Sequence, residues 1–473
     1  MKLAMNLSLR SCLVLLAAVP LLITGCGKSD SAVAPDPGGM EGGSGLVRPK
    51  EGDGAKPPLP PEEREAQLTP EQITELPYDD PRHVRYAEKI DTRTDVVSEE
   101  LPVSRGGVVP DIEWYGGAGD SPDPDPAVQP REGGRTVRVW YATNRAMELR
   151  PTPEDWDPPG TMRPGYLATR DNDNRMHLGS VICFVPDSRP KGTLGSSWVT
   201  RLIKGEDDRI KIEQVLLEQD TEWFYESLRR RIARAPENDR SILVYVHGYK
   251  NSFDSAALRA AQLAVDLNVP GLTAFYSWPS ADSVDEYSGD EAAVETAEKH
   301  LTEFLTRLSR DTGASRINII AHSMGNRLVA RTMQRILMSN NGADKQVKFG
   351  QVFLAAPDID VDTFNDLAEA YPKLSERTTL YISKRDMALE ASAWKHSFAR
   401  VGYAPPIAVI PGIDTVEVTG IDVSALGHGY VAEAEQVLTD IALLLRKDNP
   451  PGQRFHMRPQ QTDKGGNYWL LSP

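Results

Sequence analysis

From about residue 135 to 447, apolar positions follow two periods. Ser241-Ile-Leu-Val-Tyr-Val246 is apolar almost throughout. A run of that length with no polar face fits a central parallel strand covered on both sides. Leu272–Ser277, Ile317–Ile320, Val347–Ala355, Thr379–Ser383 and Val416–Thr419 are read as further strands. Earlier, Thr136–Tyr141 alternates apolar with polar residues, and Gly179–Val185 forms another run that Pro186 stops. Between these lie helical spacings. Ser252–Leu267 carries Ala256, Leu258, Ala261, Leu263 and Leu267, and Glu291–Ser309 places Val294, Ala297, Leu301, Phe304, Leu305 and Leu308 on one face. Asn326–Met338 and Tyr430–Arg446 complete the set, while the stretch between Pro186 and Ser241 reads as polar and receives no element. Strands alternating with helices predict an α/β fold with a mostly parallel sheet flanked by helices.

The flanks read differently. Lys2 and Arg10 precede the apolar run Leu13–Ile23, which is shorter than the roughly 20 residues that span a bilayer. A secretory signal fits better, and Ile23-Thr24-Gly25-Cys26 resembles the lipobox of bacterial lipoproteins. That resemblance implies cleavage before Cys26, lipidation of Cys26 and attachment to a membrane of the bacterial cell envelope. By the same analogy, Gly27 favours the periplasmic side of the outer membrane over the inner membrane. The expected organisation is a signal peptide over 1–25, a Gly/Pro-rich tether over 26–76 and an irregular segment over 77–134. The main domain follows over 135–447, with a polar C-terminal tail over 448–473. A net charge of −15 argues against a nucleic-acid partner, because such binding rests on cationic side chains that displace counterions. Of three cysteines, Cys12 leaves with the signal and Cys26 is lipidated, so Cys183 is the one free thiol expected in the mature chain.

The strongest chemical signal is Ala321-His322-Ser323-Met324-Gly325, set between the Ile317–Ile320 strand and the helix from Asn326. A nucleophile on a sharp strand-to-helix turn needs small residues two positions before and after it, because the backbone closes tightly there. Ala321 and Gly325 meet that need, although the commoner pattern has glycine at both positions. The turn would raise the Ser323 hydroxyl above the sheet and set the Met324 N–H where a developing oxyanion is stabilised. A serine nucleophile needs a base and the base an orienting carboxylate, in the chain order Ser, acid, His for this kind of turn. His428 follows the last strand and precedes the last helix, and is the candidate base. Asp386, after the Thr379–Ser383 strand, is the favoured acid, and Asp358, after Val347–Ala355, is the alternative. Whichever of Asp358, Asp360 and Asp386 is not the acid would serve as a helix cap or loop ligand. The second oxyanion donor is expected in Val246-His247-Gly248-Tyr249, with the Tyr249 N–H as candidate and His247 in a structural role. Trp278 would line a pocket or fill the core.

Taken as a set, several motifs resemble one bacterial family of α/β-hydrolases of unknown function, loosely esterase- or lipase-like. They are Val137-Arg-Val-Trp-Tyr-Ala-Thr-Asn-Arg145, Tyr245-Val-His-Gly-Tyr249, Tyr276-Ser-Trp-Pro-Ser280, Ile320-Ala-His-Ser-Met-Gly-Asn-Arg327, Leu354-Ala-Ala-Pro-Asp358 and Leu426-Gly-His428. The resemblance covers about 135–447 and implies the α/β-hydrolase fold with a Ser-Asp-His site at Ser323, Asp386 and His428. It brings no substrate. The expected activity is cleavage of a carboxylic ester or related acyl bond in a small-molecule or lipid substrate, with no cofactor and no metal. No metal-ligand cluster and no phosphate-binding glycine loop stands in the sequence. The rival readings are an inert scaffold lipoprotein that keeps the fold, an envelope peptidase and an acyltransferase using the same residues.

Overall fold

The computed structural model describes residues 127–152, 162–169, 174–196, 207–283, 286–340, 346–384, 389, 398–418 and 434–472. Cys26, Asp386 and His428 lie outside these, as do the expected signal peptide and tether.

Strand β7 (Ser241–Val246) has all six residues buried. Its side chains divide by the two-residue period of a strand. Ile242, Val244 and Val246 enter one apolar core, and Leu243 and Tyr245 the other. Each such side chain stabilises the fold by about 1.5–3 kcal/mol through apolar area removed from water. Two dry faces leave β7 no place but the sheet interior. It pairs in parallel with β8 (Leu272–Ser277) on one side and β9 (Arg316–His322) on the other.

The remaining strands are β1 (Val128–Arg131), β2 (Gly134–Thr143), β3 (Met147–Pro151), β4 (Met162–Tyr166), β5 (His177–Pro186) and β6 (Lys211–Glu218) before it, and β10 (Phe349–Ala355), β11 (Ser375–Ile382), β12 (Asp414–Glu417), β13 (Met457–Gln461) and β14 (Asn467–Leu471) after it. Among the described residues twelve strands form one sheet, in the order β13-β14-β12-β11-β10-β9-β7-β8-β2-β5-β6, with β1 beside β2. Neighbours from β2 through β12 to β14 run parallel, and the pairs β1–β2, β2–β5, β5–β6 and β13–β14 are antiparallel. Strands β3 and β4 make a separate hairpin.

Helices cover both faces. On the first lie α1 (Thr221–Arg234), α3 (Tyr287–Thr296), α4 (Glu298–Asp311), α5 (Gly325–Asn340), α6 (Val361–Leu367) and α7 (Ala370–Leu374), all of which contribute to one core. On the second lie α2 (Phe253–Asp266) and α8 (Glu435–Leu444). Helix α1 begins where Asp220 accepts the Trp223 N–H at 3.0 Å, and it carries Arg231 and Arg234 in its last turn, against the helix dipole. In α2, Ser252 caps the first turn and Ala256, Ala257, Ala260, Ala261 and Ala264 face inward. Those short side chains let the helix approach the sheet closely, directly after the loop that leaves β7.

The structure corrects four expectations. Polar-looking residues between Pro186 and Ser241 include strand β6 and helix α1. Most of strand β6 is half-buried or exposed, so only Ile212 and Val215 are buried to mark it. The helix expected over Glu291–Ser309 is two helices meeting at Ala297, and it starts earlier, at Tyr287. The expected irregular segment 77–134 contains β1, and strand β2 starts at Gly134. The expected tail 448–473 contains β13 and β14, with β14 paired in parallel to β12 through Val416–Trp469 and Glu417–Leu470. Its anchors are Leu471, 2 % exposed, and the buried ion pair of Arg454 with Asp440. Asp440 also accepts the Tyr381 hydroxyl at 2.6 Å.

Candidate active site

The parallel strands bring their C-terminal ends to one edge of the sheet. Strand β9 runs there into Ser323, which sits between the strand and the first turn of α5 with φ at +51°. The left-handed region is sparsely populated by residues with a Cβ and costs of order 1–3 kcal/mol, so surrounding contacts must hold it. They are present. The Ser323 N–H donates to Ala355 O at 2.9 Å, and Ser323 O accepts from Asn326 N and Asp358 N at 3.0 and 3.2 Å. Asn326 adds its side-chain amide to Ala321 O and Ser323 O at 3.1 and 3.0 Å. The residue is 1 % exposed, and its hydroxyl has no hydrogen-bond partner among the described residues. A buried hydroxyl left unmade costs free energy, which makes it a place for chemistry or a ligand.

The loop leaving β7 lies against this turn. A Cβ on Gly248 would stand 2.7 Å from Ser323 Cβ, and one on Gly325 would stand 2.4 Å from His247 O. Glycine at both positions therefore lets the loop and the turn touch. Among the described residues neither the Met324 N–H nor the Tyr249 N–H is taken up by an acceptor. His247 is fully buried, places Nδ1 2.7 Å from Gly248 O and Nε2 3.2 Å from Ser277 Oγ, and stacks on Trp278 at 5.1 Å. Burial, and then the nearby Arg145 charge, pull its imidazole down to about 3, so it is neutral at physiological pH. Trp278 is fully buried and donates its indole N–H to His247 O at 2.8 Å, which makes it a core residue that fixes the loop.

Asp358 follows β10 and lies beside Ser323, its N–H on Ser323 O. Its carboxylate accepts the Tyr287 hydroxyl at 2.5 Å and faces Arg400 at 3.3 Å and Arg327 at 4.0 Å. Arg327 also pairs with Glu291 at 2.7 Å. This aspartate is thus held in a cationic network reaching α3 and α5. Asp360 caps α6, accepting the Thr363 N–H at 3.0 Å. For Asp386 and His428, which lie outside the described residues, only the position in the sequence is given. Asp386 comes four residues after the end of β11, two beyond Lys384, whose ammonium pairs with Glu417 of β12 at 3.0 Å. In the sequence His428 falls between the end of β12 and the start of α8. The structure therefore brings Ser323, Met324, Tyr249 and Asp358 together, and Asp386 and His428 lie outside the described residues.

Three residues at this edge escaped the sequence reading: Tyr287, Asp290 and Arg145. Tyr287 closes on Tyr249 edge to face, with ring centroids 5.3 Å apart. Asp290 and Arg145 are fully buried. Burial raises the Asp290 carboxyl, opposed by hydrogen bonds from Ser280, Ala281 and Lys250. Burial lowers the Arg145 guanidinium to about 9, with Asp290 opposing, so the residue stays cationic at neutral pH. Arg145 closes the first of the motifs that carry the family resemblance, but the motif assigns it no role. Among the described residues no group of three or more His, Cys, Asp or Glu is placed to hold a metal ion.

The profile of a family described as alpha/beta hydrolase of unknown function matches residues 221–447. Similar solved structures include an esterase from Pyrobaculum calidifontis, at 12 % identity and a TM-score of 0.27, covering 82 % of this chain and 98 % of that one. A carboxylesterase from Bacillus subtilis is similar at 9 % identity and a TM-score of 0.26, covering 64 % of this chain and 93 % of that one. No curated protein sequence matches the chain. The matched segment 221–447 holds the β7 loop, the Ser323 turn and α8, and the chain has the α/β-hydrolase fold, a mostly parallel sheet flanked by helices.

Proposed function

We propose that the protein is a serine hydrolase that cleaves a carboxylic ester through an acyl-enzyme. The observation that carries this reading is Ser323: a left-handed residue at a strand-to-helix turn, with a buried hydroxyl lacking a partner among the described residues. In the proposed reaction Ser323 Oγ attacks the carbonyl carbon and His428 accepts its proton. The Met324 and Tyr249 amides receive the oxyanion, and His428 then protonates the leaving alkoxide. Water, deprotonated by His428, attacks the acyl-enzyme and releases the acid. Asp386 would hold the imidazole in the required tautomer. The cationic partners already engaging Asp358 support Asp386 over Asp358 for that task.

The test is covalent labelling of the purified protein with a fluorophosphonate. Labelling is expected in the wild type and absent in folded Ser323→Ala and His428→Ala variants. Asp386→Asn should lower ester turnover by about 10⁴-fold, as loss of a triad acid does, while Asp358→Asn should not match it. A folded wild type that stays unlabelled and cleaves no ester would overturn the reading in favour of an inert scaffold. We further propose that Cys26 carries a lipid anchor facing the periplasm, with a small-molecule or lipid ester as substrate. In cells, Cys26→Ala should move the protein from the detergent-rich phase to the aqueous phase. An unchanged partition would refute the anchor.

A further inference from the structure

The loop from His247 to Ser252 is held by two buried charges of opposite sign that the proposed reaction does not use. Arg145, two residues past the end of β2, donates Nε to Ser277 Oγ at 2.9 Å. Its terminal nitrogens donate to Leu167 O and Ser280 O, each at 2.9 Å, and to Asn251 O at 2.6 Å. Among the described residues no carboxylate lies within ion-pair distance of it. A guanidinium ordinarily seeks a carboxylate fork, yet here its donors go to the loops that leave β4, β7 and β8.

Asp290, in the first turn of α3, does the converse. It accepts the Ser280 hydroxyl at 2.5 Å, the Ala281 N–H at 2.8 Å and the Lys250 N–H at 3.3 Å. Ser280 joins the two charges, giving its carbonyl to Arg145 and its hydroxyl to Asp290. The pair therefore brackets Tyr249 from the next two residues, with Lys250 held at its N–H and Asn251 at its carbonyl. Within the bracket Lys250 takes φ of +54°, and the Asn251 side-chain amide donates to Tyr249 O at 2.9 Å.

Burying two charges is a poor way to gain stability, because well-packed apolar residues do as well or better. What charges supply is directional bonding to backbone atoms. We propose that Arg145 and Asp290 are positioning residues which, through Ser280, hold the β7–α2 loop so that the Tyr249 amide faces the oxyanion formed at Ser323. The catalytic half of this inference rests on the serine-hydrolase reading, whereas the pinning of the loop does not.

Wild type, Arg145→Lys, Arg145→Met and Asp290→Asn are compared in the full-length protein. Deuterium exchange is followed in peptides spanning residues 247–255, and p-nitrophenyl acetate hydrolysis is measured with the active fraction titrated by fluorophosphonate. Faster exchange confined to that loop is expected. A fall in kcat of about 10–100-fold should accompany it, short of the loss of a whole oxyanion donor, with KM changed less than threefold. Arg145→Lys, which keeps the charge, should retain part of the activity that Arg145→Met loses. Asp290→Asn keeps the side-chain shape, so it decides the matter should both Arg145 variants fail to fold. In an active protein, unchanged loop exchange, or kcat within twofold of wild type, overturns the proposal and leaves the hydrolase reading intact. A wild type without esterase activity or labelling overturns the hydrolase reading and the catalytic half of this inference, and loop exchange alone then decides the pinning.

Discussion

At the scale of single residues, the site is built from groups in unfavourable states that neighbours compensate. Ser323 sits at positive φ, and His247 is buried as a neutral ring. The latter has a consequence for stability. An unfolded histidine takes up a proton below its ordinary value of 6.5, whereas folded His247 resists protonation until about 3. The stability this residue secures is therefore complete above pH 6.5 and is lost as pH falls towards 3, at about 1.4 kcal/mol per pH unit. His247→Gln should flatten the pH dependence of urea unfolding between pH 6.5 and 4.5 by close to one proton. An unchanged slope would show that His247 is protonated in the folded protein. Such residues differ in how far the sequence announces them. Ser323 is readable because small residues flank it between an apolar run and a helical spacing. Asp290 is not: its neighbours Ser288 and Gly289 are those of a loop, and only tertiary contact reveals that its carboxylate accepts from Lys250 and Ala281.

At the scale of elements, the contact between the β7 loop and the β9–α5 turn is the decisive one. Gly248→Ala should test it, since the added methyl would lie 2.7 Å from Ser323 Cβ and 3.1 Å from His322 Nδ1. Pushing the loop away displaces the Tyr249 amide, so under the proposed mechanism ester turnover should fall about 100-fold, with about 1–3 kcal/mol lost from overpacking. Activity within a few-fold of wild type would place the loop farther from Ser323 than described. The central elements are legible for a simple reason. Strands β7 and β8 are buried on both faces, so their runs are apolar but for Ser241, Thr273 and Ser277 and show no polar face. Edge elements lack that clarity. Strand β13 has exposed Arg458 and Pro459, and α1 combines a charged face with Phe224, Leu228 and Ile232, so their apolar content alone does not separate them from loop.

At the scale of the whole molecule, the segment after α8 is part of the body because a buried ion pair ties it there. Arg454 donates Nε to Asp440 Oδ1 at 2.9 Å, and both side chains are at most 3 % exposed. Removing one partner strands the other charge in the core. Arg454→Ala should cost about 3–5 kcal/mol in urea unfolding, whereas Arg454→Met with Asp440→Leu should recover much of that loss. A cost below about 1 kcal/mol for the single change, the range of an exposed pair, would mean that β13 and β14 detach without consequence. Those strands also determine how the sheet ends. Among the described residues β13 is the last strand on its side, and Pro459 within it has no N–H to offer a neighbour. Arg458 adds charge to the same rim. An edge finished in this way gives a second molecule a poor template for strand addition, so molecules crowded together would meet along it without joining into a common sheet.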